Sequence, residues 1–117
     1  MKYIDTHMHL GMDNTDEQIS AYIEQKKKEG MVRGVLIGPR AEVSPDHHKR
    51  LIQVCERSDG FFIPFARVDL RKPEAVDVQA LFDMGCVGLK FIDPYKDYDD
   101  ECYFPIYDKA NELSMPI

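Results

Sequence analysis

Short apolar runs and stretches of helical spacing alternate along the whole chain, with a repeat of about 28 residues, and this alternation restricts the fold more than any other feature. Strand-like runs fall at 2–10, at 33–38 (RGVLIG), at 61–69 (FFIPFARVD) and at 87–92 (VGLKFI). A helix is predicted after each. Thr15 with Gln18 forms a capping-box pair ahead of Ile19, Tyr22, Ile23 and Lys26, and Gly30 is a stop. Ser44-Pro45 opens a second helix carrying Leu51, Ile52 and Cys55 on its inner face, with Gly60 past its end. Pro73-Glu74 starts a third, which presents Val78, Leu81 and Phe82 and stops at Gly85. Pro105 opens a fourth, with Ile106, Ala110 and Leu113 on one side, and Met115-Pro116-Ile117 begins another apolar segment.

Such an order implies α/β architecture with parallel strands joined by right-handed crossovers. Two arrangements satisfy it: a small doubly wound sheet, or the N-terminal half of a (β/α)8 TIM barrel, which needs roughly 250 residues. The 117 residues suffice for one domain, spanning 1–117. Because the sequence stops two or three residues into an apolar strand, the half-barrel is the expected arrangement, with β5 only begun.

The first strand reads IDTHMHLG. Alternate side chains of a strand point to opposite faces, so Tyr3, Asp5, His7 and His9 are expected on one face and Ile4, Thr6, Met8 and Leu10 on the other. Both faces are expected to be buried, the polar one inside the barrel with His9 near the C-terminal end of the strand. Two residues of strand rise separate the histidine Cβ atoms by roughly 6.5–7 Å, close enough for both imidazoles to lean toward one ion. Buried and unsatisfied, each ring nitrogen would cost on the order of 1–3 kcal/mol; a metal or a hydrogen-bond network removes that cost. Asp5 on the same face would hold an imidazole in one tautomer. Two core histidines bonded to backbone are the alternative.

IDTHMHLG resembles the Asp-x-His-x-His opening of the amidohydrolase superfamily. FDMGCVGLKFIDPY and YFPIYDKANELSMPI are similar to the run through the fourth strand and helix of its amidohydrolase-related branch, which includes metal-dependent hydrolases and non-oxidative aromatic-acid decarboxylases. The likeness extends over essentially the whole chain. It implies a TIM barrel, His7 and His9 as ligands of a divalent metal, zinc foremost, and a metal-activated water. It also implies a further histidine on the fifth strand and an aspartate on the eighth, positions beyond Ile117.

Lys90, in VGLKFI, points into the barrel if Val87, Leu89 and Phe91 face the helices. A lysine is rarely buried without a partner. It can contact an acidic substrate or pair with an acid such as Asp5; the resemblance adds a carboxylated lysine bridging two metals. Arg67, on the third strand with Phe65 and Asp69, can take a substrate carboxylate bidentately or form a salt bridge at the barrel mouth. His47 and His48 are adjacent on a helix and diverge by about 100°, so they are read as surface residues. The acidic loop at 93–103 lacks the spacing and glycine of an EF-hand and belongs to substrate entry.

Net charge −6 argues against nucleic acid and anionic membranes, and Lys26-Lys27-Lys28 reads as a solvated helix face. Cys55, Cys86 and Cys102 form no CxxC pair, so a reducing, cytoplasmic setting is expected, and no apolar run approaches a membrane span. The expectation is therefore a metal-dependent hydrolase acting on a small acidic or aromatic molecule. A decarboxylase, or an inactive fragment whose open strand edges drive homo-oligomerisation, are the alternatives.

Overall fold

A computed structural model describes residues 1–11, 13–38 and 45–117, with the side chains of 45–47 outside the description. The expected Ser44 cap and the His47 side chain lie outside the described residues, as do Pro39 and Arg40, which follow the second strand-like run.

Four parallel strands, β1 (Tyr3–Met8), β2 (Met31–Ile37), β3 (Phe62–Arg67) and β4 (Gly88–Lys90), form one sheet in the order β1-β2-β3-β4. A doubly wound sheet reverses its strand order at a switch point. This order never reverses, so the doubly wound alternative is set aside. Right-handed crossovers that always step the same way put the helices on one face. The final segment extends the series: the Leu89 N–H donates to the Pro116 carbonyl at 2.9 Å, laying residues 115–117 beside β4.

The helices are α1 (Asp16–Lys28), α2 (Pro45–Arg57), α3 (Val78–Met84) and α4 (Phe104–Glu112). α1 begins as its sequence requires. Gln18 N–H donates to Thr15 Oγ1 at 3.2 Å, and Thr15 N–H donates to Gln18 Oε1 at 2.8 Å. Asp16 and Glu17 sit at the positive end of its dipole and Lys26, Lys27 and Lys28 at the negative end. Lys26 and Lys27 pair with Glu29 and Glu24 along the helix surface, in keeping with a solvated face. Among the described residues no helix is long and apolar enough to cross a membrane.

The third helix starts later than Pro73 predicts. Residues Pro73–Ala75 make a single 3-10 turn, Val76 is extended, and α3 starts at Val78. Lys72 has no oxygen with which to cap a helix at Pro73, whereas the Asp77 carboxylate accepts from Ala80 N–H at 2.9 Å. Phe82, expected inside, is exposed, while Val78 is buried. β4 is also shorter than its apolar run, because Asp93 takes a left-handed φ of 52° soon after it.

The core has two parts on the helix side of the sheet. Met8, Ile19, Ile23, Leu36, Leu51 and Phe62 join β1–β3 to α1 and α2. Ala66, Val68, Leu89, Tyr103, Ile106 and Met115 fill the space beneath α4. Tyr103 is wholly buried, and its hydroxyl accepts from the N–H groups of Tyr95 and Lys96 and donates to the Leu70 carbonyl, tying the loop after β4 to the loop after β3.

Candidate metal centre

β1 departs from strict alternation. Asp5 pairs with Gly34 and Met8 with Leu36, so three steps along β1 match two along β2. The extra residue is absorbed in a bulge, which reverses the phase of the side chains beyond it. Asp5 produces the bulge locally: its Oδ1 accepts the His7 N–H at 2.9 Å, withdrawing that donor from the sheet. Met8 then turns into the helix-side core, and His7 and His9 turn to the opposite face.

Two expectations change in consequence. Asp5 is out of phase with the histidines and fixes His7 through the backbone amide, where a bond to an imidazole was expected. The strand is not buried on both faces either: Ile4, Thr6, His7 and His9 are exposed, because nothing in the described chain covers the helix-free side at β1.

His7 and His9 do converge. Their Nε2 atoms lie 3.0 Å apart, with ring centroids 5.0 Å apart and planes inclined at 64°. Bonds of ~2.0–2.1 Å from both nitrogens to one ion would subtend roughly 95° at that ion, an ordinary angle for neighbouring ligands in five- or six-coordination. A tetrahedral ion needs the nitrogens only a few tenths of an ångström further apart, roughly 3.3 Å. At 3.0 Å the two rings share a hydrogen bond, one Nε2–H donating to the other's bare nitrogen, and the same spacing is compatible with a divalent metal in its place. Among the described residues no group of three or more His, Cys, Asp or Glu converges, so the two imidazoles are the donors that this part of the chain supplies.

The His9 imidazole is held below its ordinary pKa. Partial desolvation is the largest cause, followed by the His7 ring and the positive charges of Arg67 and Lys90; the Ile37 backbone acts the other way. A neutral imidazole is the form that binds metal. The charges of Arg67 and Lys90 act on His9, in keeping with their place at the ends of β3 and β4.

Arg67 and Lys90 are register partners at the ends of β3 and β4. Their neighbours Ala66 and Leu89 are buried on the helix side, which leaves both cations on the other face. Arg67 Nη2 lies 3.4 Å from Asp93 Oδ2, the salt bridge expected of a residue at the sheet's mouth. Gly88 lets the face close in: a Cβ there would collide with the Phe65 ring.

His48 differs from expectation. It is 8% exposed and faces the C-terminal end of β2, where a Cβ on Gly38 would lie 3.5 Å from its ring. The signal was present in the sequence, since His48 stands one helical turn before Leu51 and Ile52 on the inner face of α2. Asp93 and Tyr103 also went unassigned; no local pattern identifies a salt-bridge partner 26 residues from Arg67.

Searches of protein-family models, of curated proteins and of solved structures match this chain to none of them.

Proposed function

We propose that the chain carries the first half of a metal-dependent hydrolase site of the amidohydrolase-related kind, on four units of a (β/α)8 barrel. The observation that carries this reading is the 3.0 Å approach of two imidazole nitrogens at the C-terminal end of the first strand of a sequentially ordered parallel sheet. Barrel enzymes build their sites at that end. His7 and His9 would hold the ion, zinc foremost among divalent metals. A bound ion there supplies Lewis acidity toward water or a carbonyl oxygen.

The chain's own residues account for the rest of the proposal. Asp5 fixes the His7 backbone and so the aim of the pair. Lys90 and Arg67, on the same face, suit a small substrate bearing a carboxylate, with Arg67 capable of a bidentate contact. These cations would serve a non-oxidative aromatic-acid decarboxylase equally well. A second reading is an inactive chain: two imidazoles converge among the described residues, and the resemblance places the further ligands at positions other than these.

The test is turnover by zinc-reconstituted protein on esters, amides and lactones bearing a carboxylate, alongside release of carbon dioxide from aromatic acids. The hydrolase reading expects hydrolysis that disappears on chelation and in His7→Ala/His9→Ala. Decarboxylation without hydrolysis selects the decarboxylase, and metal binding without turnover selects the inactive chain.

A further inference from the structure

The strand register sets two rows of side chains on the histidine face of the sheet. Ile37, Phe65 and Gly88 are partners across β2, β3 and β4, and Arg67 and Lys90 are partners two residues further on. All five alternate with Leu36, Ala66 and Leu89, which are buried in the helix-side core. An apolar row therefore lies roughly 6.6 Å from a cationic one along the strands. The half-buried Phe65 ring reaches across to β4, where Gly88 has no side chain to stop it: a Cβ there would collide with the ring's Cζ.

The two cations are not equivalent. Arg67 is paired with Asp93, its Nη2 3.4 Å from Oδ2. Asp69, two residues beyond Arg67, is taken up by Arg71, which donates to it at 2.9 and 3.0 Å. Lys90 is half-buried, and among the described residues no carboxylate pairs with it. A charge drawn partly out of water without a counter-charge favours an anion beside it. One positive charge is therefore in excess at the ends of β3 and β4, and it stands on Lys90.

We propose that Phe65 and Lys90 form a substrate subsite beside the histidine pair that takes a single carboxylate on a flat apolar body, with the carboxylate on the Lys90 ammonium and the body against the Phe65 ring. Arg67, already engaged by Asp93, offers no second anion position, so the subsite prefers a monoacid to a diacid. The inference deepens the proposed hydrolase site and rests on that reading for the reaction; its binding step needs no metal.

The test uses benzoate, with benzamide as its uncharged isostere and isophthalate as the diacid, on the full chain in chelator. Metal is thereby kept out, so a failure here is separate from a failure of the metal reading, which metal content tests by itself. Amide chemical shifts are followed by NMR. Benzoate is expected to give saturable shifts concentrated at the ends of β3 and β4, with a Kd of about a few millimolar, as so small a ligand allows. Benzamide in place of benzoate, and Lys90→Gln, are each expected to weaken binding about tenfold, while Lys90→Arg keeps it within about threefold. Phe65→Leu, which keeps an apolar side chain, is expected to weaken it about threefold. Isophthalate, with two equivalent carboxylates, is expected to gain about twofold by statistics and no more. No saturation by benzoate, shifts elsewhere on the surface, equal binding of benzamide, indifference to Lys90→Gln or to Phe65→Leu, or a larger gain with the diacid would overturn the proposal.

Discussion

Arg67 Nη2 stands 3.4 Å from Asp93 Oδ2, and the two partners are unequally solvated, with side-chain exposures of 18% and 70%. Water screens the carboxylate far more than the guanidinium, so Arg67 keeps much of its field. Desolvation opposes protonation of His9 most, then the His7 ring; the fields of Arg67 and Lys90 add to it. The expected result is a His9 ring titrating below 6.5 in metal-free protein, read from its ring-proton shifts by NMR. Arg67→Gln and Lys90→Gln each remove a positive charge, so each should raise that midpoint. The sign also governs folding: a histidine with a depressed folded pKa is protonated more readily when unfolded, so its contribution favours folding less as pH falls through 6.5.

Tyr103→Phe removes one hydroxyl that meets two backbone N–H groups and one carbonyl. All of these partners lie at or near the buried ring, so about 1–3 kcal/mol of stability should be lost in urea unfolding. The Tyr95 and Lys96 amides should exchange faster in the same variant, because their shared acceptor is gone. Unchanged exchange at both would show that the hydroxyl does not hold the loop.

Two glycines of the sheet should respond differently to alanine. At Gly88 the new Cβ meets the Phe65 ring, a rigid plane that must swing as a whole; about 1–3 kcal/mol is the expected cost. At Gly34 it meets the thioether ends of Met31 and Met8, which can rotate away, and the expected cost is below about 1 kcal/mol. Denaturant midpoints of the two variants should keep that order.

Thiol labelling should follow burial. Desolvation raises Cys55 to about 12, with a contribution from Cys86, and raises Cys86 to about 11. At pH 8 a thiol of pKa about 12 is roughly one part in ten thousand thiolate, and the thiolate is the nucleophile. Cys102 is also raised, by burial and by Asp100, but it is partly exposed. Iodoacetamide should therefore modify Cys102 first in native protein and reach Cys55 and Cys86 only on unfolding.

The alternation of strands and helices was legible because its signals are local. Thr15 and Gln18 cap α1 as their spacing requires, and Gly85 ends α3 in a left-handed conformation with φ 117°. The convergence of His7 and His9 followed from a period of two. Asp5 was misplaced for a physical reason: one side-chain bond to the His7 amide shifts the phase of the strand, and alternation alone contains no such bond. His48 is inside because its spacing to Leu51 and Ile52 sets it on the inner face of α2; its adjacency to His47 carries no information about that face. Partners far apart in sequence, such as Arg67 and Asp93, became visible only once β3 and β4 were adjacent.

Metal content per chain tests the central claim most directly. Wild type and His7→Ala/His9→Ala would be incubated with zinc, freed of excess ion and analysed by elemental spectroscopy, with cooperative unfolding verified for both. The account predicts roughly one ion per wild-type chain and none in the double variant. Folded wild-type protein that retains no more zinc than the variant would contradict it, and the two histidines would then be exposed residues that meet without a metal.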